Sequence, residues 1–294
     1  MKKYLIYLLA LTLTTPFLIS CNDDDDDDPN DELELNISGL EDLGPDYLYE
    51  GWIIVDGAPV TTGTFSVDAN GNLSQTEFEV AEDDLENAAS FVLTIEPNPD
   101  NDPAPSAVHI LAGDFDANEM ADLSISHSAA IGNDFQLAAG DYILATPTNG
   151  MNSDELSGIW FLDASSGTPM EALNLPDLPA GWIYEGWVVV NGQPVTTGTF
   201  SSTDEADNAA PYSGTMSGPP FPGEDFLTNA PSGLSFPVDL SGGMAVISVE
   251  PVPDNSAAPF LLKPLVGSIP SDAMDHTLYS MGQNLSFPMG QAIR

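Results

Sequence analysis

The sequence predicts an all-β protein made of two tandem β-sandwich domains. It contains 25 glycines and 25 prolines in 294 residues, and its apolar runs are short. No segment after the first 20 residues keeps a helical period for three turns. A segment of 18 residues that begins at Tyr49 returns at Tyr184 with 14 identical positions, which indicates a duplication. The chain is long enough for two domains of ordinary size.

Residues 1–20 are predicted to be a lipoprotein signal peptide. Lys2 and Lys3 precede an apolar run that ends in Leu18-Ile-Ser-Cys21. This pattern resembles bacterial lipoprotein signals, in which cleavage before the cysteine is followed by attachment of lipid, here to Cys21. A transmembrane helix is the alternative, but the run is shorter than the roughly 20 residues that span a bilayer, and it contains Pro16.

Residues 21–33 are predicted to be an acidic tether. The segment contains six consecutive aspartates, Asp23 to Asp28, whose mutual repulsion favours a solvated, extended chain. It is similar to the acidic export signals that send some lipoproteins to the outer face of the outer membrane. We therefore expect a lipid-anchored protein of the outer membrane that is exposed at the cell surface. A spacer that leaves the protein facing the periplasm is the alternative.

The composition excludes some partners. After cleavage, Lys263 and Arg294 are the two basic residues against 46 acidic ones, a formal charge of −44. Phosphate groups require clustered lysine and arginine, so we expect no nucleic-acid partner, and the expected contact with the membrane is through the lipid anchor. Cys21 is the only cysteine, which excludes a disulfide within the chain.

The first repeat is assigned to residues 34–150. Tyr49–Val55 is apolar on both faces, as expected of a central strand. Asp56-Gly57 predicts a hairpin turn into the returning strand Pro59–Phe65, and Asn191-Gly192 predicts the same turn in the second repeat. Helix is expected only as single turns. We place these turns at Asp83–Asn87, Asn118–Ala121 and Asp272–Asp275.

The second repeat is assigned to residues 157–294, after a polar segment around residues 148–155. Its expected strands include Leu234–Val238 and Phe260–Lys263. The segment Gly158–Leu162 either begins this repeat or pairs back onto the first one as a hairpin partner. Short strands with frequent turns in each repeat favour the sandwich architecture.

Three pairs of equivalent residues are candidates for a binding site. They are Glu50 and Glu185, Trp52 and Trp187, and Glu96 and Glu250. A carboxylate on an apolar strand must be hydrogen-bonded or have a raised pKa, so each glutamate marks either a site or a bond that fixes a neighbouring loop. The tryptophans could stack on sugar rings, but their positions in mid-strand favour a place in the core.

Metal sites and catalytic motifs are weakly represented. Asp68, Asn70 and Glu77 have the spacing of a calcium loop around Gly71. The first ligand position is Ser66 instead of aspartate, and a plain hairpin turn accounts for the same residues. Zinc motifs, phosphate-binding loops and nucleophile motifs are not found in the sequence. We therefore expect no tight metal site, no cofactor and no enzymatic activity.

The repeated motifs resemble those of one known family. Tyr-Glu-Gly-Trp, then Asp/Asn-Gly-x-Pro-Val-Thr-Thr-Gly-Thr-Phe, then Ile/Val-Glu-Pro before a proline-rich loop resemble the extracytoplasmic C-terminal domain of anti-sigma-K factors. The resemblance covers about residues 34–113 and again 170–267. It implies an all-β, non-catalytic module outside the membrane that senses or interacts. The helical domain and membrane helix of that family have no counterpart in this sequence, so direct binding of a sigma factor is not expected.

The sequence as a whole therefore predicts a lipid-anchored envelope protein. Its two modules would bind or sense an envelope protein or an extracellular ligand, neither of which is identified by the sequence. The alternative is a surface adhesin or polymer-binding lipoprotein whose acidic loops bind calcium.

Overall fold

The computed structural model describes residues 30–150, 153–254 and 256–294, and nearly all of their regular structure is β-strand. The predicted all-β class is thus confirmed. The predicted signal peptide, Cys21 and most of the acidic tether lie outside the described residues. No helix in the described ranges has the length and apolar character that a membrane crossing requires.

The strands of the described residues are numbered in chain order. They are β1 (Asn30–Ser38), β2 (Tyr47–Val55), β3 (Ala58–Phe65), β4 (Glu77–Ala81), β5 (Ala88–Pro97), β6 (His109–Asp114), β7 (Met120–Ser124), β8 (Ala139–Leu144), β9 (Gly158–Trp160), β10 (Leu162–Asp163), β11 (Met170–Glu171), β12 (Leu173–Asn174), β13 (Trp182–Val190), β14 (Gln193–Phe200), β15 (Gly223–Asp225), β16 (Met244–Pro251), β17 (Leu265–Ser268), β18 (Tyr279–Ser280), β19 (Gly282–Gln283) and β20 (Met289–Ile293). The helix α1 spans Glu82–Glu86, and Glu155–Ser157 forms a single 3-10 turn.

Two sheets contain the duplicated segments. The first sheet has the order β3-β2-β5-β6-β7-β20-β1-β4, and the second has the order β14-β13-β16-β17-β19. A third sheet, β12-β8-β9-β15, contains strands from both sides of the predicted boundary. Neighbouring strands in these sheets are antiparallel.

The duplicated hairpin has the same geometry in both copies. Tyr49 pairs with Phe65 and Tyr184 with Phe200, and in each pair the rings stack with centroids 5.6 Å apart. The register shifts at the same place in both hairpins, after Gly51 and after Gly186. Both turns have two residues of positive φ, as Asp56-Gly57 and Asn191-Gly192 predict. The hairpin predictions are confirmed.

The last strand of each repeat pairs with strands of the other repeat. β20 lies between β1 and β7, where Ala292 is opposite Leu35 on one side and Ala121 on the other. β8 pairs instead with β9, β12 and β18. The segments Gly140-Asp-Tyr-Ile143 and Gly290-Gln-Ala-Ile293 occupy equivalent places in the two repeats, so the exchange of strands is reciprocal. The strand pairings therefore cross the predicted boundary between residues 34–150 and 157–294 in both directions.

The segment Gly158–Leu162 divides into β9 and β10. Ile143 pairs with Trp160 and Leu144 with Ile159, so β9 is the hairpin partner of β8. The other edge of β9 pairs with β15, which belongs to the second repeat. The segment therefore joins the two halves instead of belonging to one of them.

The core is continuous across the repeats. One cluster of buried apolar side chains contains Tyr49 and Phe91 of the first repeat together with Phe161, Tyr184 and Leu265 of the second. Reciprocal strand exchange brings these side chains into one cluster, since β8 and β20 carry apolar residues into the opposite half. We therefore expect the two repeats to unfold together.

Three parts of the expected secondary structure differ in the structure. β1 begins at Asn30, so residues 30–33 of the predicted tether are in a strand, where Leu33 is fully buried. Leu234–Val238 is not a strand: Leu234, Phe236 and Val238 pack against the core, but Pro237 has no N–H to donate to a ladder.

Phe260–Lys263 is not a strand either, because the N–H of Phe260 donates to the carboxylate of Glu250. Of the expected helical turns, the first is confirmed as α1. Those at residues 118–121 and 272–275 are tight turns without helix.

Candidate functional site

The two repeated tryptophans lie in the core. Trp52 is 3% exposed and Trp187 is 2% exposed. The indole Nε1–H of Trp52 donates to Thr94 Oγ1 at 2.9 Å, and that of Trp187 donates to Ser248 Oγ at 2.8 Å. Neither ring is presented on a surface where a sugar could stack, so their candidate role in binding has no support in this geometry.

Glu50 and Glu185 are buried next to these tryptophans. Thr61 donates its hydroxyl to Glu50 Oε1 at 2.5 Å, and Thr196 donates its hydroxyl to Glu185 Oε1. Burial raises the pKa of Glu50. Burial also raises the pKa of Glu185, to about 8, with repulsion from the neighbouring carboxylates of Glu250 and Asp254 adding to the effect.

Glu96 and Glu250 hold the loops that follow their strands. The backbone N–H of Ser106 donates to Glu96 Oε1 at 2.8 Å, and that of Phe260 donates to Glu250 Oε1 at 2.9 Å. Ser248 also donates its hydroxyl to Glu250. Burial raises the pKa of Glu250 to about 7. Each glutamate therefore has the loop-fixing bond that is one of the two interpretations of the sequence.

Glu185, Glu250 and Asp254 form a three-carboxylate cluster. One carboxylate oxygen from each lies within 4.8 Å of the others. Sequence reasoning selected the two glutamates but missed Asp254. A signal was present, since Glu-Pro-x-Pro-Asp occurs in both copies and places Asp100 at the equivalent position. Asp100 is exposed, and among the described residues only the second copy brings its three carboxylates this close together.

A groove of about 580 Å³ lies between the two repeats, beside this cluster. The loop that follows β1, the ends of β2 and β5 and the start of β6 contribute one wall, and the segment after β16 contributes the other. The apolar lining includes Leu43, Tyr47, Val108, Pro251, Val252 and Phe260, and the acidic residues at the groove are Glu41, Asp42, Asp46 and Asp254.

Backbone contacts between loops shape the groove. The N–H of Asn98 donates to the carbonyl of Asp46 at 2.7 Å, and the N–H of Val252 donates to the carbonyl of Gly181 at 2.8 Å. These two bonds are equivalent by the duplication, so both halves use the same contact to position the loops. Burial raises the pKa of Glu41 to about 7, although Lys263 opposes the shift.

The residues of the candidate calcium loop are used in a turn. Asp68 accepts bonds from the N–H groups of Asn70 and Asn72, at 2.8 and 2.9 Å, and from the side-chain amide of Asn72. These bonds lower the pKa of Asp68 to about 2. Glu77 is exposed in β4, opposite Glu34 of β1. The geometry around Asp68 is that of a hairpin turn.

The duplicated hairpin, the loop-fixing glutamates and the all-β fold can now be compared with known families. Residues 26–110 match the family model of the anti-sigma-K factor rskA, C-terminal. The predicted resemblance is confirmed over this span. No curated protein and no solved structure gave a match.

The rskA C-terminal match has a defined place in the fold. It includes Glu50, Trp52 and Glu96 and ends at Ile110, in β6. The first wall of the groove therefore lies within the matched residues, whereas the three-carboxylate cluster lies outside them. The resemblance of residues 170–267 to the same family stays a prediction that follows from the internal duplication.

Proposed function

We propose that this protein is a lipid-anchored, non-catalytic binding module of the cell envelope, and that the groove between its repeats is its ligand site. The match to an anti-sigma-factor domain supports a regulatory or sensing role. The observation that carries the proposal is the groove itself, which both repeats build and which combines an apolar lining with acidic residues. Such concave, mostly apolar sites with a few polar groups are typical of ligand sites.

The lipid anchor follows from the sequence around Cys21. A cysteine after an apolar run, followed by six aspartates, is typical of an outer-membrane lipoprotein exposed at the cell surface. Replacing Cys21 with Ala should release the protein from the membrane fraction, because one transferred lipid would be missing. A Cys21→Ala protein that stays in the membrane with its leader uncleaved would show that the first 20 residues are a membrane helix. Surface digestion of intact cells tests the outward orientation.

The ligand that best complements the groove is a basic peptide segment with aromatic or aliphatic side chains, supplied by an envelope protein or an extracellular protein. Apolar side chains would occupy the lining, and positive charges would face Glu41, Asp42, Asp46 and Asp254. Charge complementarity of this kind also increases the rate of association. Nucleic acid does not satisfy these requirements, because phosphate would be repelled.

A matched pair of peptides tests the groove. We expect Lys-Phe-Phe-Lys to perturb the NMR signals of residues that line the groove at physiological salt, and Glu-Phe-Phe-Glu to leave them unchanged. Val252→Arg adds a positive charge at the groove, at a side chain that is 48% exposed, and should weaken binding about tenfold. Leu137→Arg adds the same charge at a side chain that is 86% exposed and does not line the groove. Equal weakening by both variants would show that the peptide responds only to net charge.

Direct capture of a sigma factor is not part of this proposal. The region after Cys21 is proposed to lie outside the inner membrane, whereas sigma factors work in the cytoplasm. A sensing role would therefore require a separate membrane protein as a relay. Saturable binding of a purified sigma factor by this protein, together with a cytoplasmic location in cells, would contradict this part of the proposal.

A further inference from the structure

The three-carboxylate cluster contains an unsatisfied buried atom. Glu185 is 5% exposed, and its Oε2 atom is buried without a hydrogen-bond partner. The other oxygen of the same carboxylate accepts the bond from Thr196, so the side chain is held in place by one oxygen while the second is left unpaired. A buried acceptor without a partner is uncommon in proteins and indicates a missing ligand, ion or water.

The direction of this carboxylate is set by its neighbours. Glu185 lies in β13 and Glu250 in β16, and the register of these strands places Glu185 opposite Ser248, two residues before Glu250. Ser248 and Phe260 donate to Glu250, while Glu185, Glu250 and Asp254 bring one oxygen each to within 4.8 Å of the others. The side chain of Glu185 therefore faces the other two carboxylates.

The donor set favours a hard divalent cation. All three side chains offer carboxylate oxygens, and the cluster contains no sulfur or imidazole ligand. Calcium accepts six to eight oxygens in irregular geometry, whereas magnesium demands a near-ideal octahedron and gives up its water reluctantly. Asp254 is only half-buried, which leaves one side of the cluster accessible to water as additional ligands.

We propose that Glu185, Glu250 and Asp254 form a calcium site in the second repeat. The cation would pair with the unsatisfied Glu185 oxygen and would link β13 and β16 to the segment after β16, which forms one wall of the groove. This site is distinct from the candidate loop at Asp68, and it does not depend on what the groove binds.

The first repeat provides an internal control. Glu50, Glu96 and Asp100 occupy the equivalent positions, but Asp100 is exposed and these carboxylates do not gather within the same distance. We therefore expect one site per chain, although the sequence motif occurs twice.

Calorimetric titration of calcium into the full-length protein in detergent, at pH 8 and physiological salt, tests the site. We expect one calcium ion per chain. Asp254→Asn should weaken its binding at least tenfold, whereas Asp100→Asn should leave it within twofold. Both variants keep the six aspartates of the tether, so weak uptake by that segment contributes equally to both titrations. Equal behaviour of the two variants, or heat without a defined stoichiometry, would overturn the proposal.

Terbium luminescence gives a second readout that does not depend on large heats. Trp187 donates to Ser248, which donates to Glu250, so its indole is close enough to the cluster to sensitise a bound terbium ion. Excitation of tryptophan should produce terbium emission that calcium displaces and that Trp187→Phe reduces more than Trp52→Phe does. Circular dichroism checks that each variant is folded. Emission that depends equally on both tryptophans would place the ion elsewhere and would contradict the assignment.

Discussion

The reciprocal exchange of strands makes Gly290 a sensitive position. A Cβ atom built on Gly290 would lie 2.4 Å from the carbonyl oxygen of Asn36 and 2.6 Å from Cα of Ile37. Both atoms belong to the backbone of β1, so rotation of a side chain cannot relieve the contact. Normal contacts between heavy atoms are about 3.5 Å, so β20 and β1 would have to separate by about 1 Å.

We expect Gly290→Ala to lower the free energy of unfolding by about 2–3 kcal/mol, the upper part of the range for overpacking, because the backbone must move. For a chain of this size, about 2–4 °C of the melting temperature corresponds to 1 kcal/mol, which gives a decrease of roughly 4–12 °C. Thermal unfolding followed by near-UV circular dichroism measures this change.

A matched substitution separates strain from the loss of a glycine. A Cβ on Gly282, in β19, would approach the carbonyl oxygen of Val266 at 3.5 Å, an ordinary contact. Gly282→Ala should therefore be neutral or should stabilise the protein by up to about 1 kcal/mol. Equal melting temperatures for the two variants would refute the placement of β20 beside β1. Hydrogen exchange provides the location: Gly290→Ala should reduce protection in β1 and β7, which belong to the other repeat.

Three other substitutions test the core, the last residue and the buried acids. Trp52→Ala should lower the free energy of unfolding by about 3–5 kcal/mol in denaturant titrations, in a single transition because the core is continuous; an unchanged midpoint would mean that the ring is not buried. Arg294→Met should cost about 2 kcal/mol, since the guanidinium donates to the carbonyls of Leu85, Glu86 and Ala88 and lies 4.7 Å from the ring centroid of Phe115; a loss below about 0.5 kcal/mol would contradict these contacts. Burial raises the pKa of Glu224 and of Asp207 to about 7, so the folded state holds protons that the unfolded state has lost above its ordinary carboxyl pKa. This contribution to stability is present at pH 4 and decreases as the pH rises through 7, and Glu224→Gln should flatten the dependence of melting temperature on pH between 4 and 8.

The sequence predicts the features that depend on nearby residues. The hairpins β2–β3 and β13–β14 follow from Asp56-Gly57 and Asn191-Gly192, because positive φ at a two-residue turn is a local requirement. The burial of Trp52 follows from a strand that is apolar on both faces. α1 was also expected, as a single turn beginning near Asp83.

The exchanged strands could not be predicted in this way. Met289–Ile293 has five residues, and its partners in β1 lie about 250 positions earlier in the chain. Alternation of side chains indicates which face of a strand is buried, but it does not indicate which sheet the strand joins. The assignment of residues 34–150 and 157–294 to repeats therefore describes the duplication, while the pairing of strands depends on the whole chain.

The candidate site was predicted only in part. Glu185 and Glu250 were selected because carboxylates on apolar strands require partners, and the structure shows these partners. Asp254 was missed since it lies in a loop, and its distance to the glutamates depends on how that loop folds back over β16. The groove could not be predicted from either repeat, because it exists only where the two halves meet.

The position of β20 has a consequence for export. β1 is the first described strand to leave the cytoplasm, and its edge toward β7 stays open until residues 289–293 have also crossed the inner membrane. Open edges of this kind pair readily with other chains. An exported chain therefore exposes an unpaired sheet edge for nearly the whole time of its translocation, and it requires either rapid completion or a periplasmic chaperone that covers this edge. The same edge would accept β20 from a second molecule, so crowding of stalled chains at the membrane would favour intertwined dimers over the monomer.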